Sequence, residues 1–489
     1  MSSPVQPDPP GGAAPRRALA RRLRSSDFFA VAFGAIIGVG WVVVLGEWLS
    51  SAGPLGAIIA FALGGGLMYL IGLCYAELTS AMPVAGGEIA YAYRAFGLEK
   101  AAFVGWYLTL GYIAVSGFEA VAVGRVISYL IPATNSIPLY SVQGNPVYLP
   151  HLLIGVGCSV LITWINYRGI GVAAGFQSVL TLLLVAAGLV FITAALLRGS
   201  PANLSPLLSE TPIAGILAVF ITTPIWFVGF DTIPQTAEEA LPGFPSRRLG
   251  TLILVSIAAA TLFYIGAILS ASVLAPWPTL VSQDLPTARA FTLAFASPAL
   301  GRLVLIAGLI GLLTSWNGFF IGASRVLFSL GRARIIPGVF GVPHARFGSP
   351  HRAALLVGAA TCLAPLLGKE MLTAFVNVSS ACIAVSFLGV CLSMRALRRQ
   401  APEMRRPYRV RGGVAVATAG AAGAALIILA LAVPGSPVAL RWPYEWSILA
   451  GWTLVGFVLW RAARERRTAI GEAERSALIL QTKWSGDEG

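Results

Sequence analysis

The sequence is poor in charge: only 11% of its 489 residues are Asp, Glu, Lys or Arg, well below the usual share in soluble proteins. Hydrophobic residues make up 57% of the chain, and the mean hydropathy is +0.79. Apolar segments of roughly 20 residues recur along the chain, and a helix of that length crosses a bilayer. The composition therefore excludes an ordinary soluble domain and predicts an all-α polytopic membrane protein.

Cysteine and histidine are scarce as well. The cysteines lie within apolar spans without CxxC spacing, which argues against a disulfide framework or a zinc site: Cys74, Cys158, Cys362, Cys382 and Cys391. The three histidines fall at span ends or in loops. No P-loop, nucleotide fingerprint or mid-membrane set of nucleophile and base occurs, so we expect no metal, no cofactor, no direct use of ATP and no enzyme activity.

Hydropathy predicts about twelve membrane spans. Their approximate ranges are 28–50, 54–78, 99–131, 149–167, 173–197, 212–240, 249–274, 300–329, 353–368, 371–394, 413–434 and 446–462. Residues 27–462 are therefore expected to form one transmembrane domain. Residues 1–26, which lack the apolar core of a secretory signal, are predicted to be a disordered tail, and residues 463–489 form a second tail.

The net charge of +14 does not indicate a nucleic-acid partner, because the basic residues occupy alternate loops instead of one soluble face. One side holds the basic clusters at 16–24, 395–409 and 461–467. The other side has little beyond Arg198, Arg289, Lys369 and Arg441. The positive-inside rule then predicts a multi-pass protein of the plasma (inner) membrane with both termini in the cytoplasm.

Two of the predicted spans are interrupted. The first, FAVAFGAIIGVGWVVVLG, covers Phe29 to Gly46 and carries glycines in mid-span at Gly34, Gly38 and Gly40. The other covers Ala218 to Ala240, where two prolines flank Gly229 and Asp231. A helix that breaks at membrane depth is tolerated only where its backbone faces protein, water or a ligand. Breaks at matching places in two halves of a chain indicate a binding site near the midplane.

Three motifs resemble the amino acid-polyamine-organocation (APC) superfamily of permeases, and most closely the bacterial relatives of cationic amino acid transporters. They are GAIIGVG at 34–40, YAELTSAMPVAGGEIAYAYRAFG at 75–97 and FVGFDTIPQTAEE at 227–239. The resemblance implies a LeuT-type fold with a five-plus-five inverted repeat, about 27–197 and 212–394, and two extra helices within 413–462. It also implies secondary active transport of amino acids by alternating access around spans one and six.

The resemblance also implies a substrate site. Backbone N–H groups around Val39, Gly40 and Trp41 would bind the carboxylate, and carbonyls near Ile36, Phe227 and Val228 would bind the ammonium. Trp41 either narrows this pocket or merely packs between helices. Ile225 and Trp226 precede the second break, where relatives place an aromatic gate. The other residues expected to line the pocket are Gly38, Tyr112 and Asn317.

Two departures from the family pattern bear on the substrate. Gly111 stands where cationic transporters carry a glutamate, so a neutral amino acid is favoured over lysine or arginine, which need a counter-charge in the membrane. Val39 replaces a frequent Ser or Thr, and Trp41 replaces a smaller aliphatic residue. These changes predict a small or medium substrate whose carboxylate is bound by backbone alone.

The coupling ion is open between a proton and sodium. Asp231 is the one acid assigned near the midplane; it either partners the substrate or carries a proton, or it caps the second half of span six. Span five has no lysine of the kind proposed to carry protons in relatives. Thr314 and Ser315 resemble hydroxyl ligands for sodium, although such groups often bond their own helix.

Three charged residues, Glu47, Glu119 and Arg125, are expected in the outer halves of spans one and three. They either pair as an outer gate or extend separately to the external surface. The alternatives to an amino acid permease are a transporter or exchanger of polyamines or other organic amines, and a nutrient sensor on the same scaffold. Symport or antiport, and monomer or dimer, are not decided by the sequence.

Overall fold

The computed structural model describes residues 18–481, which form eighteen α-helices, short 3-10 turns and one β-hairpin. The helices are α1 (Ser25–Ile36), α2 (Gly40–Val43), α3 (Leu45–Ala81), α4 (Gly87–Phe96), α5 (Leu98–Leu130), α6 (Leu149–Tyr167), α7 (Ile170–Arg198), α8 (Pro212–Trp226), α9 (Thr232–Thr236), α10 (Ser246–Leu274), α11 (Pro286–Phe295), α12 (Pro298–Arg332), α13 (His351–Leu363), α14 (Met371–Gln400), α15 (Gly413–Ala432), α16 (Tyr444–Ala462), α17 (Arg464–Thr468) and α18 (Glu472–Leu480). The strands are β1 (Pro138–Val142) and β2 (Asn145–Tyr148).

Within residues 18–481, nine helical segments are long and apolar enough to cross a membrane: α1 with α2, α3, α5, α6, α7, α10, α12, α14 and α15. The apolar helices α8 and α13 are shorter, and α16 coincides with the twelfth predicted span. Helix α3 runs through the end of the first predicted span and all of the second. The two parts meet at Gly53, where φ is 71° and Pro54 follows. Each predicted span therefore corresponds to a helix or a pair of half-helices.

The described chain is all-helical as expected except for one short hairpin, which was not predicted. Its strands pair antiparallel between α5 and α6, with Val142 opposite Asn145. Gln143 and Gly144 form the two-residue turn, and both have positive φ, which matches the twist that such turns require. The Tyr140 hydroxyl donates to the carbonyl of Leu366 at 2.6 Å. We call this side of the molecule the hairpin face.

The opposite side holds both ends of the described chain, and we call it the terminal face. Leu19 and Leu23, within the predicted N-terminal tail, are buried, and Leu23 forms a parallel bridge with Ala240. Helix α18 of the predicted C-terminal tail packs against α4. Residues 1–17 and 482–489, the remainder of the two predicted tails, lie outside the described residues.

The core of the bundle is built on α5, which packs against α12 and α14. Helix α16 joins it through Trp106 and Trp452, whose rings stack with centroids 4.3 Å apart. Each indole N–H donates to the backbone carbonyl of the other residue, at 2.9 and 3.0 Å. These reciprocal bonds satisfy both indole groups and attach a largely exposed helix to the bundle.

Candidate functional site

The first predicted interruption is present between α1 and α2. Helix α1 ends at Ile36, and α2 begins at Gly40. The carbonyl of Ile36 accepts the N–H of Gly38 at 3.1 Å and the hydroxyl of Tyr264 at 3.0 Å. The N–H groups of Val42 and Val43 donate to the Val39 carbonyl at 2.9 and 3.3 Å. Within the described residues, the N–H groups of Val39, Gly40 and Trp41 have no backbone acceptor and remain as donors at the break.

The second interruption, Phe227 to Asp231, separates α8 from α9. Gly229 has a φ of 134°, and a Cβ there would lie 2.6 Å from the backbone nitrogen of Ile36. The two breaks are therefore in direct contact, and only glycine permits this approach. The Asp231 carboxylate accepts the Gly229 N–H at 2.8 Å and the Tyr112 hydroxyl at 2.7 Å.

A cavity of about 90 Å³ lies between the breaks. Its polar side chains are Glu119, Trp226, Tyr264, Ser315 and Ser379, and the rest of the lining is apolar or backbone. Eight of the residues predicted for substrate or ion binding line it: Ile36, Gly38, Val39, Gly40, Ile225, Trp226, Val228 and Ser315. The Trp226 ring covers Gly40 so closely that a Cβ at Gly40 would lie 2.4 Å from it.

The other predicted substrate residues do not line this cavity. Trp41 packs edge-on against Phe191 and Phe263, which matches the interpretation that it packs between helices. Phe227 is fully buried against Phe61 and Tyr264. Tyr112 and Asp231 bind each other at the second break.

Asn317 also lies away from the cavity, within an amide network that the sequence did not reveal. Its Nδ2 donates to Gln177 at 2.7 Å, and its Oδ1 accepts from Asn166 at 3.0 Å. The Gln177 amide donates in turn to the carbonyls of Ala30 and Thr314, at 3.3 and 3.0 Å. The Thr314 hydroxyl donates to the Gly311 carbonyl of its own helix at 2.8 Å. Of the two predicted sodium ligands, only Ser315 reaches the cavity.

Of the three predicted outer-gate residues, Glu119 lies apart from the other two. Glu119 is 3% exposed and lines the cavity, with its Oε1 3.8 Å from the position of a Cβ on Gly38. Glu47 and Arg125 are exposed and line a vestibule of about 440 Å³ on the hairpin face. Among residues 18–481, neither forms an ion pair within 4 Å. Val115, Phe118 and Glu119 all line the cavity from one face of α5. Their helical spacing is the sequence signal that could have placed Glu119 on the same face as the other two residues.

The vestibule adjoins the cavity, since Val39, Val43, Val44 and Phe118 line both. The cavity is therefore approached from the hairpin face.

The terminal face is closed where two of the motifs meet. Glu88 is buried and accepts a hydrogen bond from Gln235, which also donates to the carbonyl of Asp231 at 3.2 Å. Burial, and then the charge of Asp231, raise the pKa of Glu88, which lies between the spans, to about 8. Two arginines of α12 bind acids of the third motif. Arg325 forms a fully buried ion pair with Glu239 at 2.9 Å, and Arg332 pairs with Glu238 at 2.9 Å.

Comparison with known proteins gives consistent matches along the chain. A protein-family model described as amino acid permease matches residues 24–458. The methylthioribose transporter of Bacillus subtilis (strain 168) is 26% identical over 399 residues, which are 81% of this chain and 85% of that protein. The branched-chain amino acid permease BcaP of the same organism is 25% identical over 406 residues, again 81% and 85%. The chloroplastic cationic amino acid transporter 9 of Arabidopsis thaliana is 32% identical over 337 residues, 67% of this chain and 58% of that protein.

Proposed function

The chain belongs to the amino acid permease family of the APC superfamily, a family of transporters and not of enzymes, and from this we propose that it is a secondary active transporter of small neutral amino acids. The observation that carries the proposal is the cavity between two interrupted helices in direct contact. Free N–H groups at the start of α2 suit a carboxylate, and carbonyls freed from helical bonding suit an ammonium.

Two observations support a small, neutral substrate. The cavity of about 90 Å³ is far below the roughly 300–1,000 Å³ of pockets for drug-sized ligands. A Cβ at Gly111 would lie 2.7 Å from the side chain of Ile383, so a glutamate like that of cationic transporters would require Ile383 to move.

The transport cycle we propose is alternating access within a five-plus-five inverted repeat. The interrupted helices α1–α2 and α8–α9 each open one predicted repeat, and α15 and α16 follow the second. The hairpin face is proposed to be extracellular and the terminal face cytoplasmic, in the plasma (inner) membrane. The vestibule on one side and the ion pairs on the other support an outward-facing state.

We propose a proton as the coupling ion, carried by Asp231. Its carboxylate lies at the second break and is linked through Gln235 to a second buried acid, Glu88. Sodium is less well supported, because the Thr314 hydroxyl and carbonyl are both engaged within the protein. Asp231→Asn preserves an acceptor for Gly229 and should flatten the pH dependence of uptake. An unchanged pH profile would leave Asp231 a structural role only.

Uptake of a radiolabelled panel into proteoliposomes tests the function. The panel contains the standard amino acids, putrescine and methylthioribose, with sodium and proton gradients imposed separately. We expect uptake of small neutral amino acids driven by the proton gradient. Uptake of putrescine alone would favour an organic-amine transporter, and stimulation by sodium alone would overturn the proton assignment.

A further inference from the structure

Glu119 is a carboxylate buried in the cavity, where the Ser315 hydroxyl is a hydrogen-bond partner but no cation of the described chain faces it. It is 3% exposed, and its Oε2 has no hydrogen-bond partner among the described residues. Within residues 18–481, no Lys, Arg or His forms an ion pair with it. A buried carboxylate is strongly disfavoured unless it holds a proton or faces a cation. A cationic group on a ligand in the cavity would provide such a partner.

One of the three backbone acceptors expected for an ammonium, the Ile36 carbonyl, is already occupied. The Ile36 carbonyl accepts hydrogen bonds from both Tyr264 and Gly38, at 3.0 and 3.1 Å. A carbonyl oxygen has two lone pairs, so it has no free acceptor site for a ligand. Glu119 lies beside this segment, with its Oε1 3.8 Å from the position of a Cβ on Gly38, and faces the same cavity.

Glu119 and the first break both line the cavity. Glu119 lies beside Gly38, and the backbone N–H groups of the next three residues, 39–41, have no backbone acceptor among the described residues. An α-amino acid carries its ammonium and its carboxylate on one carbon atom and therefore presents both charges within a small volume. The small cavity volume leaves no room for a long side chain that ends in a second cation.

We propose that Glu119 binds the ammonium group of the substrate directly, and that it makes the site selective for small ligands that carry a protonated primary amine next to a carboxylate. The proposal rests on the transport function proposed above and identifies the residue that recognises one half of the substrate.

Competition in proteoliposomes tests the proposal. The probe is the amino acid of the panel with the highest wild-type uptake, and the competitors are that amino acid unlabelled and its α-hydroxy acid, in which a hydroxyl replaces the ammonium. We expect the hydroxy acid to compete at least about 10- to 100-fold more weakly in the wild type. In Glu119→Gln the affinity for the amino acid should fall by a similar factor, while competition by the hydroxy acid changes little.

Glu99→Gln is the matched control, because Glu99 is exposed at the other end of the same helix. Glu119→Asp, which retains the charge, should keep part of the selectivity and replaces the glutamine variant if the latter does not fold. Two outcomes would overturn the proposal while leaving the transport function intact. One is equal competition by the two ligands in the wild type, and the other is unchanged selectivity in Glu119→Gln with a shifted pH profile. Absence of uptake for every amino acid would instead remove the function on which it rests.

Discussion

The glycines of the GAIIGVG motif differ in how much space surrounds them. A Cβ would lie 2.4 Å from Gln177 at Gly34 and 2.4 Å from Trp226 at Gly40. At Gly38 the nearest atom would be 3.5 Å away, which is an ordinary contact. Two of the three glycines are therefore required by close approach of neighbouring side chains, whereas Gly38 leaves space beside Glu119.

Gly40→Val is expected to reduce amino acid uptake at least about tenfold, because the new side chain must displace Trp226 from the cavity. Membrane insertion should be retained, since hydropathy is not lowered. Uptake and the amount of protein in the membrane are measured together. Gly66→Val is the control, because nothing lies within 4 Å of a Cβ there. Wild-type uptake by the Gly40 variant would contradict the proposed carboxylate site.

The raised pKa of Glu88 predicts a pH-dependent stability. Its pKa is about 8 in the folded protein against an ordinary value of 4.5. Between these values the folded state retains a proton that the unfolded state has released, so the free energy of unfolding should decrease as pH rises. The groups facing Glu88 are Asp231, Gln235, Tyr75, Tyr91 and Tyr112.

Melting of the purified protein between about pH 5 and pH 8 checks this prediction. The wild-type Tm should fall by roughly 5 °C more than that of Glu88→Gln, which has no proton to lose. Glu99→Gln, at an exposed carboxylate, should follow the wild type. Equal slopes for the wild type and Glu88→Gln would mean that Glu88 does not titrate in this range.

At the scale of elements, the half-helices depend on each other. The second break fits against the end of α1 only because Gly229 has no side chain, and Asp231 holds the break through Gly229 and Tyr112. The hydrogen bond from Tyr112 of α5 therefore helps to hold the break of the sixth span in its conformation. A movement of α5 would change the position of this break.

The packing of α16 against α5 is a second contact between helices that can be tested. Trp452→Ala removes a stacked ring and the indole N–H that donates to the Trp106 carbonyl. The loss should be roughly 3 kcal/mol in the free energy of unfolding, measured by thermal or denaturant unfolding in detergent. Trp442→Ala is the comparison, because that side chain is 81% exposed. Equal destabilisation by the two variants would mean that the stacked pair contributes little.

At the scale of the whole molecule, the hairpin and terminal faces are expected on opposite sides of the membrane. A cysteine at the exposed Ser141 of β1 should react with a membrane-impermeant maleimide in intact cells. A cysteine at the exposed Ala473 of α18 should react only after lysis. The native chain serves as background, because its five cysteines are buried or half-buried. The reverse labelling pattern would invert the proposed orientation.

The sequence alone determined the spans, their interruptions and the family, because hydropathy, glycine and proline act locally on each segment. The position of Glu119 shows what tertiary structure decided: an acid assigned to the outer gate lies in the cavity, since the rotation of α5 about its axis depends on α12 and α14. The same holds for Trp41 and Asn317, which pack away from the cavity. The helices packed around a buried helix decide which of its faces meets a ligand. A span that is apolar on every face gives no sequence pattern from which those neighbours could be predicted.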